Sequence, residues 1–344
     1  MKIKSLLVLS ALFPLMICCT SKEELTELPS PEAVNQEIID EDEGLDADLG
    51  RMLAPSGTGW NKYTIKEGVT YYTFSGTDAI SSGKQHVFVI DVDLNSSYTV
   101  KMTYSSPSLA TSAAHKKYNS VATMNAGYEV ASIYIRDNGQ IRSDLPALTI
   151  GDSGVPNWKS EAAFIRKADG TISIKKGAAL IRPYAVPANI NNAISTLRTA
   201  YENTTAEDII SSAPLLIENK KSTPGETFVN TKIKLDGLNG ENPHRHQGLQ
   251  QPRSAIALTA DNHFIMMVVD GRNPGVSEGM TAKELALFLK KWFNPQSALN
   301  MDGGGSSTLC VEGKGNSQTN VVNTPCNENG AERKRLTHFI VVPK

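Results

Sequence analysis

The sequence predicts an α+β fold, with mixed, strand-rich sheets and a few packed helices. Short stretches of alternating or β-branched apolar residues recur along most of the chain, and each is typical of a strand. Helical periodicity appears in only a few segments, and these do not alternate regularly with the strands. Because a doubly wound sheet needs that alternation, the pattern favours an α+β arrangement.

The N-terminal residues predict export. Two lysines among the first four residues precede an apolar run from Ser5 to Ile17, which is typical of a signal peptide. The run is shorter than the roughly 20 residues that cross a bilayer. It ends at Cys18 and Cys19, and we favour Cys19 for lipidation because the small Cys18 would then precede the cleavage point. Residues 1–19 are therefore predicted to be a lipoprotein signal peptide, and an ordinary cleaved signal peptide is the alternative.

An acidic segment follows the predicted signal. Between Glu23 and Asp48 there are eleven acidic residues and no basic ones. Such a segment buries too little apolar surface to offset the entropy of ordering it, so we expect residues 20–56 to be a disordered tether. Residues 57–344 are long enough for one large core and form the predicted folded domain.

Charge and cysteine content narrow the range of partners. The formal net charge of −2, without a basic stripe, argues against a nucleic-acid partner. In an oxidising compartment, Cys310 and Cys326 are expected to form a disulfide that contributes about 3 kcal/mol. Two cysteines make a poor metal site, so no metal site is predicted and no cofactor is required.

The first half of the folded part contains mainly strands. Val69 to Ser75 alternates as a strand does, and Gln85 to Leu94 is predicted to pair with Tyr98 to Tyr104 as a hairpin joined at Asn95-Ser96-Ser97. The further elements predicted here are a helix over Ser108 to Lys117 and strands over Val121 to Asn125, Ser132 to Arg136, Ala162 to Arg166 and Thr171 to Lys175, of which the last two turn at Asp169-Gly170.

The second half contains the clearest helix. Thr281 is a predicted N-cap with Glu284 three residues later, which is the capping-box pattern, and Asn294-Pro295 ends the helix. The other elements predicted here are a helix over Asn191 to Tyr201 and strands over Pro214 to Glu218, Ser254 to Thr259, His263 to Asp270, Ala298 to Met301 and Leu336 to Val342.

The segment Asp302-Gly303-Gly304-Gly305-Ser306-Ser307 is the strongest indication of function. Three consecutive glycines carry a heavy entropic cost and mark a sharp bend or a close approach to a ligand. Successive exposed amides in such a turn bind anions. With an aspartate before them and two hydroxyls after them, they are suited to hold a sugar and a phosphate. The alternative is a glycine-rich hairpin turn without function.

Asn300 to Leu309 resembles the signature of the phosphodiester glycosidase family. Other segments in the same order also resemble the family, and together they span about Val121 to Val342. These segments are Asn125-Ala126-Gly127-Tyr128, Ser211 to Ile217, Arg253 to Leu258, Val269-Asp270-Gly271-Arg272, and Gly279-Met280-Thr281 with Glu284-Leu285-Ala286. Ala126 and Ser212 depart from the family pattern, in which glycine is usual, and we expect either change to narrow the pocket.

The resemblance implies a hydrolase that cleaves an α-linked sugar, with N-acetylglucosamine as one candidate, from a phosphodiester in a glycan or glycoconjugate. Residues 57–344 would then be the catalytic domain. The expected partners are a carbohydrate or sugar-phosphate substrate and, through the lipid anchor, the membrane of a bacterial cell envelope. The alternatives are a non-catalytic glycan-binding lipoprotein and an exopolysaccharide-processing transferase.

The predicted catalytic residues are Asp302, Asp270, Arg253 and Glu284. Glycoside hydrolysis uses carboxylates at an oxocarbenium-like centre. A departing phosphate is already anionic, so it needs charge stabilisation, which we assign to Arg253 and the loop amides. The capping box explains Glu284 equally well. The predicted substrate-binding residues are Asn125, Gly127, Gly303, Gly304, Gly305, Ser306 and Ser307.

Further expectations concern basic residues and the site as a whole. His244-Arg245-His246 is predicted to be a solvated loop rather than a metal or phosphate site. His338 is expected in the core or at a sheet edge, and Arg335 is expected to face the cleft. A divalent cation between Asp270 and Asp302 is conceivable, but no feature of the sequence supports one. The central expectation is that Asn125, Arg253, Asp270 and Asp302 line a single cleft.

Overall fold

The computed structural model describes residues 50–81, 83–145, 159–177, 189–222, 235, 237–238 and 242–344. Within these ranges the chain forms three antiparallel sheets with a few helices, which confirms the predicted strand-rich α+β fold. The predicted signal peptide and residues 20–49 of the predicted tether lie outside the described residues. Met52 packs against the core and its backbone N donates to Asp261 Oδ1 (2.9 Å), so ordered structure begins before residue 57.

The largest sheet contains eight strands. Its central hairpin turns at Asp261-Asn262, and Asn262 has the left-handed φ of 71° that such a turn requires. In spatial order the sheet contains β1 (Trp60–Lys66), β2 (Val69–Thr77), β3 (Lys84–Asp93), β14 (His263–Val269), β13 (Arg253–Leu258), β15 (Ser297–Asn300), β11 (Leu215–Glu218) and β12 (Lys221–Ser222).

The other two sheets contain four and five strands. In spatial order, the four-stranded sheet contains β16 (Leu309–Val311), β5 (Ala122–Asn125), β17 (Arg335–Pro343) and β4 (Tyr98–Leu109). The five-stranded sheet contains β7 (Gln140–Ser143), β6 (Ile135–Asp137), β10 (Ala206–Ser212), β8 (Ala162–Lys167) and β9 (Ile172–Lys176).

One aromatic cluster joins all three sheets. The ring of Phe164 in β8 lies 5.7 Å from Phe264 in β14 and 5.0 Å from Phe339 in β17. All three side chains are fully buried. Burying an aromatic side chain stabilises the fold by about 1.5–3 kcal/mol, so this contact fixes the three sheets around a shared core.

The described part of the chain contains four helices. They are α1 (Thr111–Lys117), α2 (Ile190–Glu202), α3 (Pro243–Gly248) and α4 (Ala282–Phe293). Helix α4 buries Leu285, Phe288 and Leu289 against the eight-stranded sheet, and both hydrogen bonds of its predicted capping box are present. Short 3-10 turns occupy Val130–Ser132, Gly304–Ser306 and Glu328–Gly330. None of the helices in the described ranges is long and apolar enough to span a membrane.

Two predictions about connectivity are wrong. β3 and β4 do not pair as a hairpin; they belong to different sheets, because β3 pairs with β14 and β4 pairs with β17. Cys310 and Cys326 are free thiols, so the predicted disulfide is not formed. The side chain of Cys310 is buried in the four-stranded sheet, whereas Cys326 lies in a loop with its Sγ 3.7 Å from Arg272 Nη1.

Candidate active site

A cleft of about 280 Å³ opens where strands of two sheets begin and end. β15 and β5 end beside it, and β13 and β17 begin beside it, so it gathers Asp302, Arg253 and Arg335 from distant parts of the chain. Its volume lies just below the range for small-ligand pockets, about 300–1,000 Å³. Its basic side chains are Lys159, Arg245, Arg253, Arg272, Arg333 and Arg335.

Asp302 is the buried carboxylate of the cleft. Its backbone N donates to Ala126 O (3.0 Å), and its Oδ2 lies 2.7 Å from Arg335 Nη2. That contact is an ion pair whose angle does not suit a hydrogen bond. Burial raises the pKa of the Asp302 carboxyl to about 6, and Arg335 opposes the rise. The carboxyl is therefore mostly ionised at neutral pH, although it is nearly out of contact with water.

The glycine loop forms one wall of the cleft, as predicted. Gly304 has a left-handed φ of 59° and donates its N–H to Pro252 O (2.8 Å). At Gly303, a Cβ would lie 2.8 Å from Pro252 O, so a side chain would force the two segments apart. The amides of Gly303 and Gly305 donate no hydrogen bond within the described part of the chain, which leaves them available to an anion.

Arg253 lines the cleft but is held mainly by backbone. Its Nε donates to Met280 O (2.7 Å), and its Nη2 donates to His246 O (2.8 Å) and Leu249 O (2.9 Å). Burial lowers the pKa of Arg253 to about 10, so it remains charged at neutral pH. Its Nη1 makes no hydrogen bond to a described residue. Arg253 therefore braces helix α3 against the cleft and contributes one free nitrogen to an anion.

Four arginines of the cleft, Arg245, Arg253, Arg272 and Arg333, make no salt bridge with any described residue. Arg272 holds a left-handed φ of 59°, which is uncommon outside glycine, and its Nε donates to Gln251 Oε1 (2.6 Å). The Nε of Arg245 is buried without a hydrogen-bond partner among the described residues. Unpaired guanidinium groups in one cleft form a site for an anion.

His246 and Tyr128 also line the cleft. Their rings are 5.8 Å apart, and the Tyr128 hydroxyl donates to Ala213 O (2.9 Å) and accepts from Asn300 Nδ2 (2.9 Å). Burial, reinforced by Arg253, holds the pKa of His246 well below its usual value, so the ring is neutral. The prediction that His244-Arg245-His246 is a solvated loop is wrong, because this segment is helical and two of its residues line the cleft.

Several predicted binding residues support the loop from beneath instead of lining the cleft. Asn125 is fully buried; its Nδ2 donates to Asp302 O (2.6 Å), and its Oδ1 accepts from Ser254 Oγ (2.9 Å) and Thr308 N (3.0 Å). Ser306 Oγ accepts from Arg335 Nε (2.8 Å). Ser307 Oγ lies 3.3 Å from Ser254 Oγ. These side chains fix the position of Asp302 and of its arginine partner.

Small residues around the loop serve packing. A Cβ at Gly127 would lie 2.5 Å from Ile133 Cδ1, so glycine is needed there for close packing. Ala126 is buried, and the buried Ser212 donates its hydroxyl to Asn300 O (2.6 Å). None of the three lines the cleft, so the expectation that Ala126 or Ser212 narrows it directly is wrong.

Asp270 and Glu284 do not line this cleft, contrary to prediction. Asp270 borders a neighbouring pocket of about 240 Å³, where its carboxylate accepts from Asn323 Nδ2 (2.9 Å) and Thr324 N (2.9 Å). Burial raises the pKa of Asp270. Glu284 accepts from the backbone N of Thr281 (2.7 Å), so its role is to cap helix α4. Of the four residues that were expected to line a single cleft, Arg253 and Asp302 do so. Asn125 lies beneath the cleft, and Asp270 lies beside it.

Two further predictions concern other polar groups. His338 is fully buried in β17, which confirms the predicted core position, and burial lowers the pKa of its ring to about 4. Arg335 faces the cleft as expected. Within the described ranges, no group of three or more histidine, cysteine, aspartate or glutamate residues is placed to hold a metal ion.

Comparisons with known proteins agree with the resemblance seen in the sequence. The family model for phosphodiester glycosidases matches residues 113–342. The catalytic domain of zebrafish N-acetylglucosamine-1-phosphodiester alpha-N-acetylglucosaminidase, auto-inhibited by its pro-peptide, is similar with a TM-score of 0.53 and 15% identity over 86% of this chain and 87% of that chain. A hypothetical protein from Synechocystis is similar with a TM-score of 0.51 and 13% identity over 85% of this chain and 64% of that chain. No curated protein matches this chain. At such identities the two structures show a shared fold.

Proposed function

The chain belongs to the phosphodiester glycosidase family, and from that premise we propose that it hydrolyses the bond between an α-linked sugar and a phosphodiester in a glycan or glycoconjugate. N-acetylglucosamine is the first sugar to test, because the similar zebrafish protein is named for its action on that sugar. The size of the cleft favours one sugar and one phosphate over a long oligosaccharide.

One observation carries the proposal: a buried carboxylate lies in a cleft with four arginines that have no ion-pair partner among the described residues. Guanidinium groups bind phosphate oxygens in a planar, two-pronged manner. The free amides of Gly303 and Gly305 add two donors for the same anion. A neutral glycan would leave these charges unmatched, so the cleft suits a phosphorylated sugar better.

The chemistry follows from this arrangement. The bond between the sugar C1 and the phosphate oxygen breaks, and the electron pair leaves with the phosphate as the arginines stabilise its negative charge. Water supplies the new oxygen at C1 and releases one proton to solvent, which gives the free sugar and a phosphomonoester. The ionised carboxylate of Asp302 stabilises the positive charge that develops at C1. The departing phosphate is weakly basic, so the reaction does not depend on a strong general acid.

The test is turnover of an α-N-acetylglucosaminyl phosphodiester, chromogenic or UDP-linked, by the purified protein and by Asp302→Asn. We expect the substitution to lower kcat by about 10³-fold or more, because it removes the carboxylate charge that stabilises the positive charge developing at C1. Asp144→Asn is the matched control, since Asp144 also pairs with an arginine (2.8 Å to Arg198) but does not line the cleft. Absence of turnover on a panel of sugar phosphodiesters, with binding retained, would instead indicate a glycan-binding protein.

A further inference from the structure

Glu129 lies at the mouth of the cleft and has no role in the reaction described above. Its side chain is 73% exposed, and its carboxylate forms an ion pair with Arg335 Nη1. Its backbone is fixed, because its carbonyl oxygen accepts from Ser132 N (2.9 Å) and from Ser132 Oγ (2.7 Å). The carboxylate is therefore held close to the cleft while remaining in contact with solvent.

Arg335 links Glu129 to the centre of the site. Its Nε donates to Ser306 Oγ (2.8 Å), its Nη2 lies 2.7 Å from Asp302 Oδ2, and its Nη1 contacts Glu129. All three nitrogens of this guanidinium therefore lie close to protein oxygens. Among these partners only Glu129 is exposed, so it is the negative charge that an entering ligand meets first.

The reactant and the product of the proposed reaction differ in charge. A phosphodiester carries one negative charge, whereas a phosphomonoester carries nearly two above its second pKa of about 6. The cleft has six cationic side chains and two carboxylates, Glu129 and Asp302. Such a surplus of positive charge binds a doubly charged anion more tightly than a singly charged one. Without Glu129 the positive surplus would be larger, so the product would be held more tightly and would compete more strongly with the next substrate.

We propose that Glu129 is a specificity-determining residue that lowers the preference of the cleft for the doubly charged phosphomonoester relative to the singly charged phosphodiester. Its carboxylate repels both ligands, and it repels the phosphomonoester about twice as strongly. One additional charge at about 6 Å in this half-solvated setting changes affinity about tenfold. Asp302 does not take this role, because it is buried and is assigned to the sugar C1. The inference rests on the proposed function of the same cleft.

The test compares two small probes of the phosphate site, methyl phosphate and dimethyl phosphate, at pH 8, where they carry two charges and one. Their dissociation constants are measured by calorimetry, which does not depend on turnover, for the unmodified protein, Glu129→Gln and Glu129→Asp. We expect Glu129→Gln to shift the ratio of the two constants about tenfold in favour of methyl phosphate. Glu129→Asp is expected to retain most of the original ratio because it keeps the charge.

Glu312→Gln is the matched control. Glu312 is also an exposed glutamate (48%) with a basic partner, Lys66 at 3.0 Å, but it does not line the cleft. An unchanged ratio in Glu129→Gln, or an equal shift in Glu312→Gln, would overturn the inference and leave the proposed function standing. If the unmodified protein bound neither probe, the cleft would not be a phosphate site, and the proposed function would fall together with the inference.

Discussion

The burial of Asp302 lowers the stability of the fold by an amount that depends on pH. Its carboxyl has a pKa of about 6 in the folded protein, against about 3.9 in an unfolded chain. The folded state therefore holds the proton to higher pH. The associated stability is fully present below about pH 4 and is lost as the pH rises through about 6. At neutral pH the fold carries a buried charge that it would be more stable without.

Asp302→Asn tests this loss of stability directly, because the substituted side chain is neutral at every pH. At about pH 8 we expect the variant to be more stable than the unmodified protein by on the order of 3 kcal/mol, about two pKa units at 1.36 kcal/mol each. Near pH 4 the two free energies of unfolding should converge. Urea titrations at both pH values measure the difference. A variant that is less stable at pH 8 would mean that the pair with Arg335 outweighs the burial.

At the level of single residues, the sequence predicted the centre of the site better than its walls. Asp302 and the three glycines were recognisable because a run of glycines between apolar strands is costly unless the backbone bends sharply or approaches a ligand there. Arg245, Arg272 and Arg333 were not predicted as cleft residues. They belong to a short helix and two loops far apart in sequence, and nothing local indicates that their guanidinium groups converge. The left-handed backbone of Arg272 has no signature in the sequence at all.

The glycine loop as an element depends on close contact with Arg272. At Gly304 a Cβ would lie 3.2 Å from Arg272 Nη2, and the positive φ of 59° strains any other residue. We expect Gly304→Ala to cost about 1 kcal/mol of stability and to lower kcat/KM about tenfold, because the guanidinium must move. The variant is measured by urea unfolding and by the phosphodiester assay.

Gly139→Ala separates the backbone strain caused by Gly304→Ala from the displacement of Arg272. Gly139 has a comparable φ of 76° but no atom within 4 Å of its added Cβ. The control should lose a similar amount of stability and keep full activity. Equal loss of activity in both variants would show that general strain, and not the displacement of Arg272, accounts for the result.

Elements were predictable where their signals are local. Helix α4 was predictable because its capping box and its stop at Asn294 lie within a few residues of its ends. The pairing of β3 and β4 was not, since three polar residues between two apolar strands are also compatible with a crossing between sheets. β3 and β4 pair instead with β14 and β17, which lie more than 150 residues away in the sequence. The β-propensity of a segment alone does not show which of several strands it pairs with.

For the whole molecule, attachment to a membrane remains a proposal from the N-terminal sequence. We expect Cys19→Ala to abolish incorporation of labelled fatty acid in cells and to shift the protein from the membrane to the soluble fraction, because the thiol of that residue would carry the lipid. Cys18→Ala is the control and should leave both readouts unchanged. Labelling that depends on Cys18 would move the cleavage point by one residue, and labelling that depends on neither would indicate simple secretion.

The position of strand β17 affects how the chain folds. It lies inside the four-stranded sheet between β5 and β4, and the contact from Thr103 Oγ1 to His338 O joins residues 235 positions apart. Such a topology has a high contact order, and closing such long loops slows folding. Arg335 is the first residue of this strand, so a nascent chain places the partner of Asp302 only after almost all of the polypeptide has been synthesised. The pairing of Arg335 with Asp302 in the candidate site is therefore among the last contacts that the folding chain can form.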